Sequence, residues 1–339
     1  MQNATGKHID LINMIVNISE MQYWKRFHDI AVNRRNVIMN GYFCLGILAA
    51  VTPIQIADAR TNNLSEYDGQ ATELRVMTYN IRLDTPTDGL SDWQHRREML
   101  TSQIYWLRPD IFGLQEVVFT QKQYIANAFR FDFALVGVGR DDGKDGGESS
   151  PIGYNIHRFK LMDSGTFWLS PTPDVPSKGW DAAYPRVATW VRLREKKGGK
   201  MILTVNTHWD HIGAEARKQS ALQVKQWLIA HRKTKDHVIV IGDFNAEPDS
   251  EPLAILTDLK SPVWLRSAAL NSTTKPFGPK GTFNDFKLQP ETVRTIDHIL
   301  VGGQTGGEMW ISHYAVIAQN VDGRMISDHY PVLADLKLN

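Results

Sequence analysis

Residues 238–245 read Val-Ile-Val-Ile-Gly-Asp-Phe-Asn, and this stretch sets the fold class. Four consecutive β-branched residues predict a strand, and the polar residues Asp243 and Asn245 follow directly at its carboxyl end. Similar apolar runs occur elsewhere in the chain, and most of them also end in a polar cluster. They cover residues 74–79, 111–115, 201–206 and 295–301.

Two helical patterns lie between these strands. Residues 91–107 begin with Ser91 as a candidate cap, and apolar positions such as Ala221 and Leu228 recur at helical spacing within residues 214–230. Strands that alternate with helices, together with strand-rich stretches, indicate an α/β domain with mixed sheets. Polar groups at strand ends are held by rigid elements, which is how binding sites are commonly built.

The first 59 residues have the order of a secretory leader. A basic segment from Lys25 to Arg35 precedes a mostly apolar stretch at 37–56, and Ala57-Asp58-Ala59 offers a cleavage site between small residues. Polar and proline interruptions make the apolar stretch a poor membrane-spanning helix, although a retained anchor is the alternative. We therefore expect a periplasmic or extracellular protein without integral membrane association after cleavage. The predicted organisation is a leader at 1–59, with Met21 as an alternative start, a linker at 60–72 and one domain at 73–339.

Cys44 is the only cysteine and lies within the apolar stretch, so the mature chain would contain none. A cysteine-free chain suits an oxidising compartment and excludes disulfides, thiolate nucleophiles and cysteine-ligated zinc. Lipidation of Cys44 is the alternative, but the residues before it match the lipoprotein pattern poorly. Outside the leader, acidic and basic residues are equal in number. This neutral balance argues against a protein that grips long nucleic acids, which carry a dense negative charge.

Six short motifs occur in order along the chain. Taken singly, each has an ordinary structural explanation: Asn80 can be a turn residue, Glu116 the start of a helix and Asp328 a cap. Taken together, the set resembles the endonuclease/exonuclease/phosphatase superfamily, the deoxyribonuclease I-like proteins. The motifs are Thr78-Tyr79-Asn80-Ile81-Arg82, Leu114-Gln115-Glu116-Val117, Asn206-Thr207-His208, Gly242-Asp243-Phe244-Asn245, Thr295-Ile296-Asp297-His298-Ile299 and Ser327-Asp328-His329-Tyr330-Pro331-Val332.

The resemblance implies both a fold and a metal site. The fold would be a four-layer sandwich, in which two mixed β-sheets pack face to face between outer layers of helices. Glu116 would be the principal magnesium ligand, with Asn80 and Asp328 completing or relaying the metal shell. Oxygen ligands of this kind suit Mg²⁺, and Mn²⁺ is the alternative ion.

The resemblance also implies how the reaction is catalysed. Asp243 would position or deprotonate the attacking water, or protonate the leaving group, and Asn245 would hold that water or a phosphate oxygen. His208 and His329, the latter oriented by Asp297, would donate hydrogen bonds to the phosphate. The residue types make sense without the family, because carboxylates alone would repel a phosphate and need a cation and donors beside them. Motifs of zinc proteases, serine hydrolases and P-loop proteins are missing from the sequence.

A second group of motifs suggests a branch of the superfamily. Gly139-Arg140-Asp141-Asp142-Gly143 and later segments look like a bacterial subgroup of exported members, nearest to the carbon catabolite repression deadenylases and nocturnin. The alternative is a glycine-rich loop without a functional role. The candidate substrate-side residues are Arg140, Glu148, Arg186 and His211.

We therefore expect a hydrolase of phosphodiesters or phosphomonoesters, a nuclease or a phosphatase, with 3′–5′ exoribonuclease-like activity among the options. Its substrate would be a phosphorylated small molecule or a short nucleic acid, and no stable protein partner is implied. Two alternatives remain: a catalytically silent binding module of the same fold, and a sphingomyelinase-like lipid phosphodiesterase. The tryptophans that keep the lipid alternative open are Trp168, Trp180 and Trp190.

Overall fold

The computed structural model describes residues 72–302 and 308–338. The strands within these ranges are β1 (Thr72–Asn80), β2 (Ile111–Gln115), β3 (Phe133–Val136), β4 (Ile152–Asn155), β5 (Phe159–Trp168), β6 (Val187–Glu195), β7 (Met201–His208), β8 (Asp236–Asp243), β9 (Leu265–Ser267), β10 (Asp297–Gly302), β11 (Met309–Val316), β12 (Asn320–Val321), β13 (Arg324–Met325) and β14 (Val332–Leu338). The helices are α1 (Trp93–Leu107), α2 (Phe119–Ala128), α3 (Ala214–His231), α4 (Glu251–Thr257) and α5 (Ala268–Asn271), with a 3₁₀ helix at Pro86–Ser91.

Twelve of the strands form two six-stranded sheets. The first has the order β11-β14-β1-β2-β4-β3, and the second has the order β5-β6-β7-β8-β10-β9. Each sheet contains one parallel pair, β1 with β2 and β7 with β8, and its other neighbours are antiparallel. The predicted mixed sheets are therefore confirmed. The remaining strands, β12 and β13, form a separate two-stranded ribbon.

Side chains along the central strands point alternately to the two faces of each sheet, and this alternation explains the four layers. Val76 of β1 and Ile239 of β8 belong to the apolar core between the sheets, whereas their neighbours Met77 and Val240 face outward. The outward side chains of the first sheet pack under α1 and α2, and those of the second pack under α3 and α4. Because a half-exposed sheet would alternate apolar and polar residues, continuous apolar strands indicate burial on both faces. The four-layer sandwich is confirmed.

Element boundaries differ slightly from the predicted ones. Ser91 is not the cap of α1: it ends the 3₁₀ helix, and Asp92 caps α1 by accepting a hydrogen bond from the His95 backbone N–H at 3.1 Å. The Ser91 carbonyl instead accepts from the side chain of Arg96. Strand β10 begins at Asp297, two residues after the predicted start.

The predicted leader at 1–59 lies outside the described residues, as does the predicted linker except for Thr72, where β1 starts. Among the helices of the described ranges, none combines the length and the apolarity that a membrane crossing needs.

Candidate active site

Five strands bring polar side chains to one edge of the sandwich. Asn80 is the last residue of β1, His208 of β7 and Asp243 of β8, and Glu116 directly follows β2. Asp297 is the first residue of β10, which runs antiparallel to β8 and begins where β8 ends. The directions of the strands therefore place one polar group per strand at the same rim.

Two of these strand ends turn through left-handed backbone. Glu116 has a φ of 62° and Asn245 a φ of 47°, a region that residues other than glycine rarely adopt. Such conformations cost on the order of 1–3 kcal/mol each and cluster at functional sites. The backbone thus turns sharply just after β2 and just after β8.

Side chains carried by both sheets surround Oδ2 of Asp243. Nδ2 of Asn80, from the first sheet, donates to this oxygen at 3.0 Å and to Oε1 of Glu116 at 2.9 Å. The Nε2 atoms of His208 and His329 lie 3.5 Å and 3.7 Å from the same Asp243 oxygen. Residues far apart in the sequence therefore surround one carboxylate.

His329 is paired with Asp297. Its Nδ1 lies 2.8 Å from Oδ2 of Asp297, and both side chains are buried. Burial lowers the pKa of His329, but Asp297, followed by Asp243 and Asp328, outweighs burial and raises the pKa to about 10. The imidazole is therefore protonated at neutral pH and presents an N–H group at Nε2.

Two buried carboxyl groups at the rim have raised pKa values. Burial, followed by repulsion from Asp297, raises the pKa of Asp243 to about 7, against the attraction of His329. Burial also raises the pKa of Asp328 to about 6; His329 opposes this shift and Glu116 adds to it. A carboxyl group with a pKa near the ambient pH can accept and return a proton during a reaction.

Three carboxyl groups, those of Glu116, Asp243 and Asp328, lie near two cations, the imidazolium of His329 and the guanidinium of Arg82. The nearby cation Arg82 lies 3.7 Å from Oδ2 of Asp328, but it also binds Asp88 through two hydrogen bonds of 2.9 Å. Its charge is therefore shared between two carboxylates. A set of oxygen donors with excess negative charge is what Mg²⁺ and Mn²⁺ prefer in proteins.

Another trio has the spacing of a metal site. One ligand atom each from Asp243, Asp297 and His329 lie within 4.8 Å of one another. This trio differs from the ligand set predicted from the sequence. Two members of the trio, His329 and Asp297, are also joined by the 2.8 Å hydrogen bond described above.

His208 contacts N–H groups on both sides of its ring. Nη1 of Arg186 lies 3.3 Å from Nδ1, and Nδ2 of Asn245 lies 3.1 Å from Nε2. Burial, followed by the charges of Arg186 and Arg140, keeps the pKa of His208 well below its usual value, so the ring is neutral. A neutral ring carries a single N–H, so it accepts from one of these two groups and holds its proton on the other nitrogen.

The four predicted substrate-side residues lie on the Nδ1 side of His208. Nη2 of Arg140 is 2.8 Å from Oε1 of Glu148, whose Oε2 is 3.8 Å from Nδ1 of His208. Nη2 of Arg186 is 3.0 Å from Nδ1 of His211. These residues are therefore continuous with the histidine that borders Asp243.

The structure brings all twelve predicted site residues into one connected group, with Asp328 joined through Arg82. Arg82 is the last residue of the first motif, so the sequence could have identified it as a site residue. Arg96 is a buried arginine on α1 that donates to the backbone carbonyls of Ile81, in the first motif, and Ile326, directly before the last motif. A cationic residue in a helix normally indicates an exposed face, so no sequence signal pointed to it. The residues at this rim without a predicted role are Arg82, Arg96, Tyr184 and Asp210.

Several known proteins resemble this chain in sequence and structure. Residues 77–329 match the Endonuclease/Exonuclease/phosphatase family. An endonuclease/exonuclease/phosphatase of Bacteroides vulgatus is 36% identical, with a TM-score of 0.73, over 79% of this chain and 100% of that chain. The mannosyl-6-phosphatase of Bacteroides thetaiotaomicron is 34% identical, with a TM-score of 0.71, over 78% of this chain and 99% of that chain. A probable RNA exonuclease of Saccharomyces cerevisiae is 27% identical over 217 residues, 56% of this chain and 42% of the yeast protein.

Proposed function

The chain belongs to the endonuclease/exonuclease/phosphatase family, and we propose that it is a divalent-metal-dependent phosphoesterase. The observation that carries the proposal is the convergence of Asn80, His208 and His329 on one oxygen of Asp243. The family supports a hydrolase. The convergence supports a site that can hold a phosphate beside an activated water.

Glu116 and Asp328 are the proposed direct metal ligands, for Mg²⁺ or Mn²⁺. Asn80 is better suited to orient Glu116, because its Nδ2 donates to Oε1 of Glu116 while its Oδ1 accepts from the backbone N–H of Arg82 at 3.0 Å. When bound, the cation would neutralise charge on a phosphate oxygen. Oε2 of Glu116 also accepts from the Leu83 N–H at 3.0 Å, so this carboxylate is already held in place.

Asp243 is the proposed group that handles the proton of the attacking water or of the leaving group. Its raised pKa of about 7 lets it take up and return a proton near neutrality. Asn245 lies beside it, since its backbone N–H donates to Oδ1 of Asp243 at 2.9 Å. Nδ2 of Asn245 contacts His208 and donates to the Trp209 carbonyl at 3.1 Å, so its Oδ1 is the atom proposed to accept a hydrogen bond from water.

His329 and His208 are the proposed donors to the non-bridging phosphate oxygens. His329 is charged and presents an Nε2–H group towards Asp243, whereas the neutral His208 would donate there in the tautomer that carries its proton at Nε2. Donors placed in advance where charge develops stabilise the transition state without reorganising during the reaction. Asp297 and Arg186 would hold the two rings in these states.

A phosphomonoester of a small molecule is the first candidate substrate. The 34% identical mannosyl-6-phosphatase, aligned over nearly its whole length, supports this class. A nuclease is the second candidate, supported by the 27% identical probable RNA exonuclease of yeast. The formally neutral domain favours the small ester. Proteins that bind long nucleic acids usually have an excess of basic residues, and their affinity falls steeply as the salt concentration rises.

The test is hydrolysis by the full chain with Mg²⁺ or Mn²⁺ over a panel of sugar phosphates, short oligonucleotides and sphingomyelin. We expect phosphate release from monoesters, its loss on chelation, and at least a hundredfold lower kcat in Glu116→Gln, roughly the size of a lost charge-stabilising group. Glu251→Gln, at an exposed carboxylate paired with Lys218, is the matched control. Full activity in Glu116→Gln or in chelator would reject the proposal.

We further propose that the protein is exported, on the basis of the leader-like order of residues 1–59. Cell fractionation with the intact chain and with a chain starting at residue 60 tests this. Equal cytoplasmic retention of both would reject export.

A further inference from the structure

We infer that the Tyr184 and His211 rings form a platform beside the reaction centre that binds a ring of the substrate's leaving group. The inference rests on the proposed phosphoesterase function and adds to it a class of substrate: a phosphoester whose leaving group carries a ring. A nucleobase would stack on such a platform through its flat aromatic face, and a sugar ring would pack on it through its C–H groups.

The two rings are exposed and parallel. Tyr184 retains 51% of its accessible surface and His211 is also exposed. Their planes differ by 13° and their centroids are 6.1 Å apart. Large aromatic side chains are usually buried, so an exposed tyrosine aligned with a second ring is an available stacking surface.

Two buried arginines hold this platform. The guanidinium of Arg140 lies 5.0 Å from the ring centroid of Tyr184, and Nη2 of Arg186 lies 3.0 Å from Nδ1 of His211. Both arginine side chains are at most 10% exposed. They therefore act as fixed supports, and little of their surface is free to meet a ligand.

Each arginine is also neutralised by its own carboxylate. Arg140 pairs with Glu148 at 2.8 Å, and Nε of Arg186 pairs with Asp210 at 3.2 Å. Because both charges are balanced locally, the platform offers little attraction for a second phosphate. An uncharged ring fits this surface better than a polyanionic leaving group does.

Asp210 anchors the loop that carries His211. Oδ1 of Asp210 accepts backbone hydrogen bonds from Ile212 at 3.0 Å and Gly213 at 2.8 Å. Burial opposes ionisation of Asp210, but these N–H groups and Arg186 outweigh it and lower its pKa to about 2. A fixed aromatic surface loses little entropy when a ring stacks on it.

The guanidinium of Arg186 lies between the platform and His208 of the reaction centre. Arg186 contacts His211 through Nη2 and His208 through Nη1, at 3.3 Å from Nδ1. His208 in turn lies 3.5 Å from Asp243. The phosphate position at Nε2 of His208 and the platform lie on opposite sides of this imidazole, so a leaving group that extends past His208 would meet Tyr184.

The test compares kcat/KM of the full chain for three monoesters: glucose 6-phosphate, adenosine 5′-monophosphate and the acyclic glycerol 3-phosphate. We expect Tyr184→Ala to lower the ratio of ring-bearing to acyclic activity about fivefold or more, as expected for one lost stacking contact. The loss should lie mainly in KM, and Tyr184→Phe should restore the ratio. The ring-bearing ester that loses more identifies the ring as sugar or base.

Tyr105→Ala is the matched control, since this exposed tyrosine lies on α1 about 14 Å further along the helix than Arg96. An equal change for all three esters in Tyr184→Ala, or a ratio that stays at the wild-type value, would overturn the inference while leaving the phosphoesterase proposal intact. Hydrolysis of none of the three esters, nor of any other phosphoester, would overturn both.

Discussion

Nδ1 of His329 lies 2.8 Å from Oδ2 of Asp297, although 32 residues separate them, and both side chains are almost completely buried. This pair keeps an imidazolium beside Asp243. The folded pKa of His329, about 10, lies above its unfolded value of about 6.5. The pair therefore contributes stability that is fully present below pH 6.5 and is lost as the pH rises towards 10.

The first prediction concerns this pair. Asp297→Asn keeps an oxygen near Nδ1 but removes the charge, so the pKa of His329 should fall and kcat should drop about a hundredfold or more. Histidine titration by NMR and the basic limb of the pH–rate profile measure the two effects. Asp163→Asn, at an exposed position on β5, is the control. An unchanged His329 pKa would contradict the assigned partnership.

The second prediction concerns acid stability. His298 is buried with Nε2 2.8 Å from the carbonyl of Ala246, and burial lowers its pKa. Because the unfolded chain binds the proton first, stability is complete above pH 6.5 and declines as the pH falls. His298→Gln should flatten the fall in free energy of unfolding between pH 7 and 5.5, by at most about 1.4 kcal/mol per pH unit. Identical slopes in denaturant titrations of both proteins would refute this.

The third prediction concerns Arg96. Its Nη1 donates to the carbonyls of Ile81 at 2.8 Å and Ile326 at 3.0 Å, so it ties together the segments that carry Asn80 and Asp328. Arg96→Met leaves these carbonyls buried and unpaired, which should cost about 3 kcal/mol or more in free energy of unfolding. Thermal denaturation measures it.

The neighbouring Arg97→Met provides the comparison for Arg96→Met. Arg97 is only partly buried and stacks on Tyr124 at 5.0 Å, so its loss should lower the melting temperature much less. Equal effects of the two substitutions would show that Arg96 has no special role in joining the segments.

The fourth prediction concerns the contact between the sheets below the site. A Cβ on Gly113 would lie 2.5 Å from Cγ of Asn206 and 2.8 Å from Cδ1 of Ile241. Asn206 accepts from Gln115 at 2.7 Å, and this bond links β2 to β7. Gly113→Ala should therefore destabilise the fold by about 1–3 kcal/mol and also lower kcat.

Gly281→Ala is the control for Gly113→Ala, because its new Cβ would come no closer than 3.3 Å to the neighbouring backbone. Denaturant unfolding and steady-state kinetics of both variants separate stability from activity. A Gly113→Ala protein as stable and active as wild type would show that the two sheets can move apart without disturbing the rim.

Local sequence predicted five of the strands, two of the helices and the types of polar residue at the rim. The run at 238–241 specified a buried strand because four β-branched residues fit a pleated surface, and the order of the six motifs identified the fold. The cap of α1 was mispredicted because Ser91 and Asp92 are adjacent candidates: Asp92 supplies the capping oxygen, and the Ser91 carbonyl accepts from Arg96. Such competition is decided by packing, which a local pattern does not contain.

Only the tertiary structure decided the partners of those residues. Asn80 meets Asp243 because two sheets pack face to face, and Arg186 meets His208 and His211 because β6 lies beside β7. These contacts set which groups are charged, since burial and neighbouring charges shift a pKa according to distance in space. The sequence by itself supplied the chemistry of the rim. The packing of the sheets determined the charges of the groups at the rim and the position of the Tyr184 platform.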